Sequence, residues 1–295
     1  MAENRSEQVR VMLWMIPRTL STAFIKCMSH LDNVKIISEP YTCSITVGPE
    51  RTMAMPKDTQ ESFDKVMDSA SNISLDMGLD HNLYTFKWVK ESLLEGDYPG
   101  KDVVFCKDMS QPVAANYDLI PSGYRHTFMI RHPLKLYKSW NKVFSSLGMS
   151  AESQRIDEVL EMSGSKAYAY GDHFQLYEHL ISSGIEREPI IIDSDDLQSD
   201  PEGILRKFCQ TLGIKYTDKL LSWEAGDGVV KDWVASKLQL QGNKLTKVYQ
   251  NAFDSTCFKK PEPLPQRSEL NESVLKCVDA AMPIYQKMHD KRLRP

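Results

Sequence analysis

No apolar run of this chain approaches the roughly 18 residues that a membrane-spanning helix needs. Met1 to Gln8 are polar and hold no apolar core of a signal peptide. Both absences predict a cytoplasmic protein with no membrane partner. Cysteine is scarce. Cys27, Cys43, Cys106, Cys209, Cys257 and Cys277 form no CxxC pair, which excludes a zinc ribbon and a disulfide framework and predicts reduced, mostly buried thiols. An excess of one charge is missing too. The 36 Lys and Arg against 40 Asp and Glu leave a formal net charge of −4, so a nucleic-acid partner is not expected, although a local basic pocket is compatible. At 41% hydrophobic residues the chain is too apolar to be mostly disordered, and neither an internal repeat nor a low-complexity tract interrupts it.

Five short apolar runs read as strands: Val9–Met15, Val34–Ser38, Val103–Cys106, His126–Ile130 and Pro189–Ile192. Helical patterns follow each of them. This alternation predicts an α/β fold, with a central parallel sheet of about five strands flanked by helices, as one domain over residues 1–295. Leu136, Trp140, Val143 and Leu147 recur at helical spacing after Pro133. Asp200-Pro201-Glu202 opens another helix, with Asp200 as N-cap, and Gly213 ends it. Residues 42–80, rich in Met, Ser and Asp, and the polar residues 145–172 read as insertions. The first is either a surface helical excursion with Met as core filler or a lid over an apolar acceptor. Pro261, Pro263 and Pro265 precede a final helix ending near Met288.

The first strand runs into Pro17-Arg18-Thr19-Leu20-Ser21-Thr22 and then an apolar helix. A strand, a tight turn and a helix N-terminus form an anion site, because unpaired N–H groups and the helix dipole point at the ligand. Arg18 adds a charge, and Thr19, Ser21 and Thr22 add hydroxyls. The turn has no glycine, so it fails the GxxxxGK[ST] pattern of nucleoside triphosphatases and kinases. The fourth strand ends in Arg131-His132-Pro133, with Ser139 in the helix that follows.

Together these two segments resemble the P-loop sulfotransferases, which use 3′-phosphoadenosine 5′-phosphosulfate (PAPS) as sulfuryl donor. The resemblance implies a P-loop NTPase-like fold. It assigns Arg18, Thr19, Leu20, Ser21 and Thr22 to the 5′-phosphosulfate, and Arg131 with Ser139 to the 3′-phosphate. Val104 to Met109 is similar to the family's third strand with its terminal Lys, here Lys107. Ile190 to Asp193, Asp200 to Glu202 and Leu212 to Ile214 match the late strand and helix. Ser255, Thr256, Phe258 and Lys259 occupy the place of a loop that closes over the nucleotide. There are departures. Leu20 stands where many members have Gly, Met109 stands where cytosolic members place a catalytic His, and the late loop lacks their Arg-Lys-Gly triplet.

Transfer to an alcohol needs a base, because a hydroxyl is a poor nucleophile near neutral pH. Carbohydrate-type relatives use a Glu just after the second strand. Glu39 holds that position and is the first candidate for the base; Asp108 is the second. Arg18 and Lys107 would neutralise the leaving phosphate, which leaves no task for a metal. The expected reaction is sulfuryl transfer from PAPS to a hydroxyl of a small-molecule acceptor. Two alternatives stay open: a P-loop nucleotide-dependent kinase, and a catalytically inactive nucleotide-binding scaffold protein.

Overall fold

The computed structural model describes residues 8–146 and 155–295. Five parallel strands form one sheet in the order β2-β3-β1-β4-β5: β1 (Val9–Met15), β2 (Val34–Ser38), β3 (Val103–Met109), β4 (Arg125–Ile130) and β5 (Ile190–Asp193). The expected parallel α/β sheet is therefore present. β3 runs past Cys106, because Lys107, Asp108 and Met109 pair with Leu13, Trp14 and Met15. β5 starts after Pro189, which has no N–H to give a ladder.

Helices follow each strand. α1 (Ser21–Met28) leaves β1, and α2 (Pro40–Thr46) leaves β2, with α3 (Lys57–Ser71) beyond it. α4 (Gln111–Ala114) leaves β3, and α5 (Pro133–Ser146) leaves β4. α6 (Ile156–Met162) and α7 (Tyr170–Ser182) precede β5. α8 (Ser194–Ser199), α9 (Pro201–Leu212), α10 (Lys237–Thr246), α11 (Gln250–Phe253) and α12 (Glu272–Asp290) complete the chain. In α9, Asp200 accepts the Gly203 N–H at 2.9 Å, Pro201 sits at the first helical position, and Gly213 closes the helix at φ 71°, as its sequence predicts. α5 begins at Pro133 and buries Leu136. Leu147, expected on the same face, lies outside the described residues, as do residues 147–154 of the expected insertion 145–172.

Side chains of β1 alternate between two apolar layers, as the period of a strand requires. Met12 and Trp14 join one layer with residues of α5, α7 and α12, while Val11, Leu13 and Met15 join another with α1 and α9. Burial on both faces explains why β1 reads as a continuous apolar run. In the 42–80 stretch, α3 lies against α10, and Met53 and Met77 pack on the α1 layer. None of the described helices is long and apolar enough to cross a membrane. Because all strands are parallel, their carboxyl ends share one edge, where open α/β sheets bind ligands.

Candidate active site

At that edge a crevice of about 1090 Å³ is lined by the β1–α1 turn, the end of β4, one face of α5, and the segments 246–252 and 254–265. Eight of its lining side chains are basic (Arg18, Arg131, Lys135, Lys138, Lys142, Lys247, Lys259, Lys260), against the acidic Asp254, Glu262 and Glu269. A chain of net charge −4 thus holds eight of its 36 Lys and Arg in one concave place, which suits a multiply charged anion. Lys135, Lys138 and Lys142 were not picked out from sequence. Their spacing of three and four residues, with Ser139 among them, is the helical-face signal that could have found them.

The turn is built from left-handed residues, Arg18 at φ 76° and Leu20 at φ 65°. Leu20 therefore adopts the conformation glycine takes without steric cost, which accounts for glycine at this point in similar turns. Leu20 is the N-cap of α1 and no side chain caps it, so no capping side chain takes up the first-turn N–H groups beside Ser21 and Thr22. Thr19 turns inward. Its hydroxyl donates to the Ile16 carbonyl at 2.8 Å and it is fully buried.

Strand periodicity separates Lys107 from Asp108. Lys107 points to the α1 face, where its Nζ lies 3.0 Å from Thr22 Oγ1 and 2.5 Å from Glu39 Oε1. The ion pair is nearly dry, with Lys107 and Glu39 side chains 1% and 9% exposed. Glu39 follows β2 at φ 54°, an unusual conformation for a residue that precedes proline. Its second oxygen accepts from the Tyr249 hydroxyl at 2.8 Å. Asp108 points to the other face, fully buried, and accepts from the N–H groups of Tyr41, Thr42 and Met109 and from the Thr42 hydroxyl. It anchors the N-terminus of α2, and burial pushes its carboxyl up to about 7. The structure brings Glu39, Lys107 and Thr22 together and leaves Asp108 behind the sheet.

Arg131 closes β4. Its Nη1 donates to the Arg18 carbonyl at 2.9 Å, while its Nε is buried without a partner among the described residues. Ser139, two turns into α5, accepts from Arg18 Nε at 3.1 Å, and Arg18 Nη1 donates to the Val248 carbonyl at 3.0 Å. Burial lowers the affinity of both guanidiniums for their protons, and for Arg18 the neighbouring Arg131 charge adds to the effect. Two desolvated cations held this close favour an anion between them.

The late loop is tied to α1 by Lys26, a buried side chain whose Nζ donates to the carbonyls of Phe253 and Ser255 at 2.5 and 3.0 Å. Ser255 is buried, with its hydroxyl given to the Ala252 carbonyl and receiving the Trp223 indole N–H. Phe258 stands edge-on to Trp223 with ring centroids 5.1 Å apart. Ser255, Phe258 and Lys259 line the crevice, whereas Thr256 is exposed to one side of it. Histidines stay out of the crevice lining. His126 accepts the Trp14 indole N–H at 3.1 Å, and His173 shares a bond with the Ser110 hydroxyl at 2.6 Å. Met109, which cannot take a proton, is buried against the α1 layer.

A family model described as a sulfotransferase domain matches residues 98–292, two thirds of the chain. The matched span includes Lys107, Arg131, Ser139 and the late loop. Two curated relatives from Arabidopsis thaliana, branched-chain-amino-acid aminotransferase-like proteins 2 and 1, are 26% identical over 285 residues and 24% identical over 291 residues. Each alignment covers 92% of this chain and 40% of the relative, so the chain spans two fifths of the length of these relatives. Among solved structures, the sulfotransferase domain of the Synechococcus PCC 7002 olefin synthase is similar at TM-score 0.44 and 14% identity, over 96% of this chain and 97% of that one. A sulfotransferase from Alicyclobacillus acidocaldarius is similar at TM-score 0.45 and 15% identity, over 74% of this chain and 87% of that one.

Proposed function

The chain belongs to the sulfotransferase domain family, and from that premise we propose that it moves a sulfuryl group from PAPS to a hydroxyl of a small-molecule acceptor. The observation that carries this reading is the concentration of cations and uncapped α1 N–H groups in one crevice, with the Arg131 Nε buried and unpaired beside it. Such a donor set suits a nucleotide with phosphate at two positions better than a monophosphate.

In the reaction the acceptor oxygen bonds to sulfur while the sulfur–oxygen bond to the phosphate breaks, and the acceptor's proton passes to a base. Glu39 is that base in our reading, because it lies at the ligand edge with one oxygen toward a hydroxyl, the phenol of Tyr249. Asp108 uses its oxygens to hold α2 and faces away. Lys107 orients Glu39 and, with Arg18, supplies preorganised positive charge for the leaving phosphate oxygen. Arg131 and Ser139 take the 3′-phosphate. Leu20, Ser21 and Thr22 take the 5′ end through the turn, and Thr19 shapes that turn from within. Phe258, Lys259 and the backbone at Ser255 and Thr256 form the late wall. Residues 1–295 act as one domain, in the cytoplasm, where the six unbonded thiols would stay reduced.

Calorimetric titration of PAP (the desulfated product), AMP, and ATP with Mg²⁺ tests the reading. PAP should bind at least about tenfold more tightly than AMP, the worth of roughly one charged hydrogen bond. Preference for ATP with Mg²⁺ over PAP would turn the assignment toward a kinase.

A further inference from the structure

We propose that Tyr249 is the resident occupant of the acceptor-hydroxyl position, so that an acceptor reaches Glu39 only by displacing it. This inference rests on the PAPS reading above. Tyr249 connects the two parts of the site: the residue lines the anion crevice, its hydroxyl donates to Glu39 Oε2 at 2.8 Å, and Lys107 Nζ stands 5.5 Å from its ring centroid. Glu39 Oε1 is taken up by Lys107, so a hydroxyl that is to lose a proton to Glu39 competes with Tyr249 for Oε2. Burial and the Glu39 charge push the phenol's proton affinity well up, which keeps it a donor.

The segment carrying Tyr249 is built as a strap. Lys247 ends α10 in the left-handed region at φ 57°, and the next residue gives its carbonyl to Arg18 at 3.0 Å. The Tyr249 N–H is held by Asn243 Oδ1 at 2.7 Å. Upstream, α3 lies against α10 with Met67 meeting Gly242 so closely that a Cβ there would stand 2.8 Å from the Met67 methyl. The strap therefore occupies both a cation and the base of the proposed reaction, and shields Glu39 from water.

The test needs no acceptor, because water can serve. With PAPS alone, a water oxygen bonds to sulfur, the sulfur–oxygen bond to the phosphate breaks, PAP leaves, and Glu39 takes the water proton. Release of PAP and sulfate is measured for the wild type and Tyr249→Phe, with PAP calorimetry on both proteins. The lost bond is charge-assisted, so the variant should hydrolyse PAPS about ten- to a hundredfold faster. Adding Glu39→Asp, which keeps the charge beside Lys107 but draws the carboxylate back, should reverse most of that gain. Equal hydrolysis by wild type and Tyr249→Phe, with PAP bound by both, overturns this inference alone. Sulfate appearing on Tyr249 in the intact mass of wild type also overturns it, since the phenol would then be an acceptor. Failure of PAP to bind the wild type sinks the PAPS reading and this inference with it.

Discussion

Replacing Glu39 with Gln tests both the chemistry and the architecture of the site. The side chain keeps its size, and its amide oxygen can still accept from Tyr249. The negative charge 2.5 Å from Lys107 Nζ is lost. Lys107 is 1% exposed, and its other partner is the neutral Thr22 hydroxyl at 3.0 Å. Removing one member of a buried ion pair costs about 3–5 kcal/mol, because the remaining charge has neither water nor a counter-ion. Urea unfolding of the ligand-free variant should show a loss of that size, a large fraction of the roughly 5–15 kcal/mol available to a folded domain. An anion delivered to the β1–α1 turn would restore a counter-charge to Lys107. PAP should therefore raise the melting temperature of Glu39→Gln more than that of the wild type at equal saturation. Under saturating PAPS, kcat should fall by roughly 10²–10⁴, the usual worth of a general base. An unfolding midpoint equal to that of the wild type would refute the buried-pair argument, and an unchanged kcat would remove Glu39 from the chemistry.

Arg131→Ala should weaken PAP by about ten- to a hundredfold in calorimetry and AMP by only a few-fold, since Arg131 also holds the Arg18 carbonyl; equal losses for the two ligands would make Arg131 a general support of the turn. Leu20→Gly should leave unfolding stability within about 1 kcal/mol, because relief of the left-handed backbone offsets the lost chain stiffness, whereas Leu20→Val should be about 1–2 kcal/mol worse than Gly; a tolerated Val would contradict the strained turn. Burial lowers His126 from 6.5 to about 4, so its neutral form contributes stability that is complete above about pH 6.5 and is lost as pH falls toward 4. His126→Asn retains an acceptor for the Trp14 indole and removes that titration, so the wild type should lose about 3 kcal/mol relative to the variant between pH 7 and 4 in urea unfolding. The raised carboxyl of Asp108 acts in the opposite direction in both proteins and cancels in the difference.

The strands were readable because each is buried on both faces and so spells an apolar run, and the α9 caps were readable because capping is chemistry among neighbours in sequence. The turn after β1 could be located, and so could Arg131 with Ser139, since strand ends and helix starts carry local signals. Which carboxylate stands beside Lys107 and Thr22 was open in sequence, because Glu39 and Asp108 both lie near the ends of strands. The answer came from strand period and register. Lys107 and Asp108 are adjacent and must face opposite sides, and pairing with β1 and β2 sets which side holds α1 and which holds α2. Tyr249 had no sequence signal at all. It reaches Glu39 across a sequence separation of 210, carried there by α10, and nothing local to either residue requires the meeting. Local order follows from short-range sterics and hydrogen bonding, which neighbouring residues encode. The joining of Tyr249, Glu39, Lys107 and Thr22 into one site follows from how the strap, sheet and α1 pack, and that packing depends on the whole chain at once.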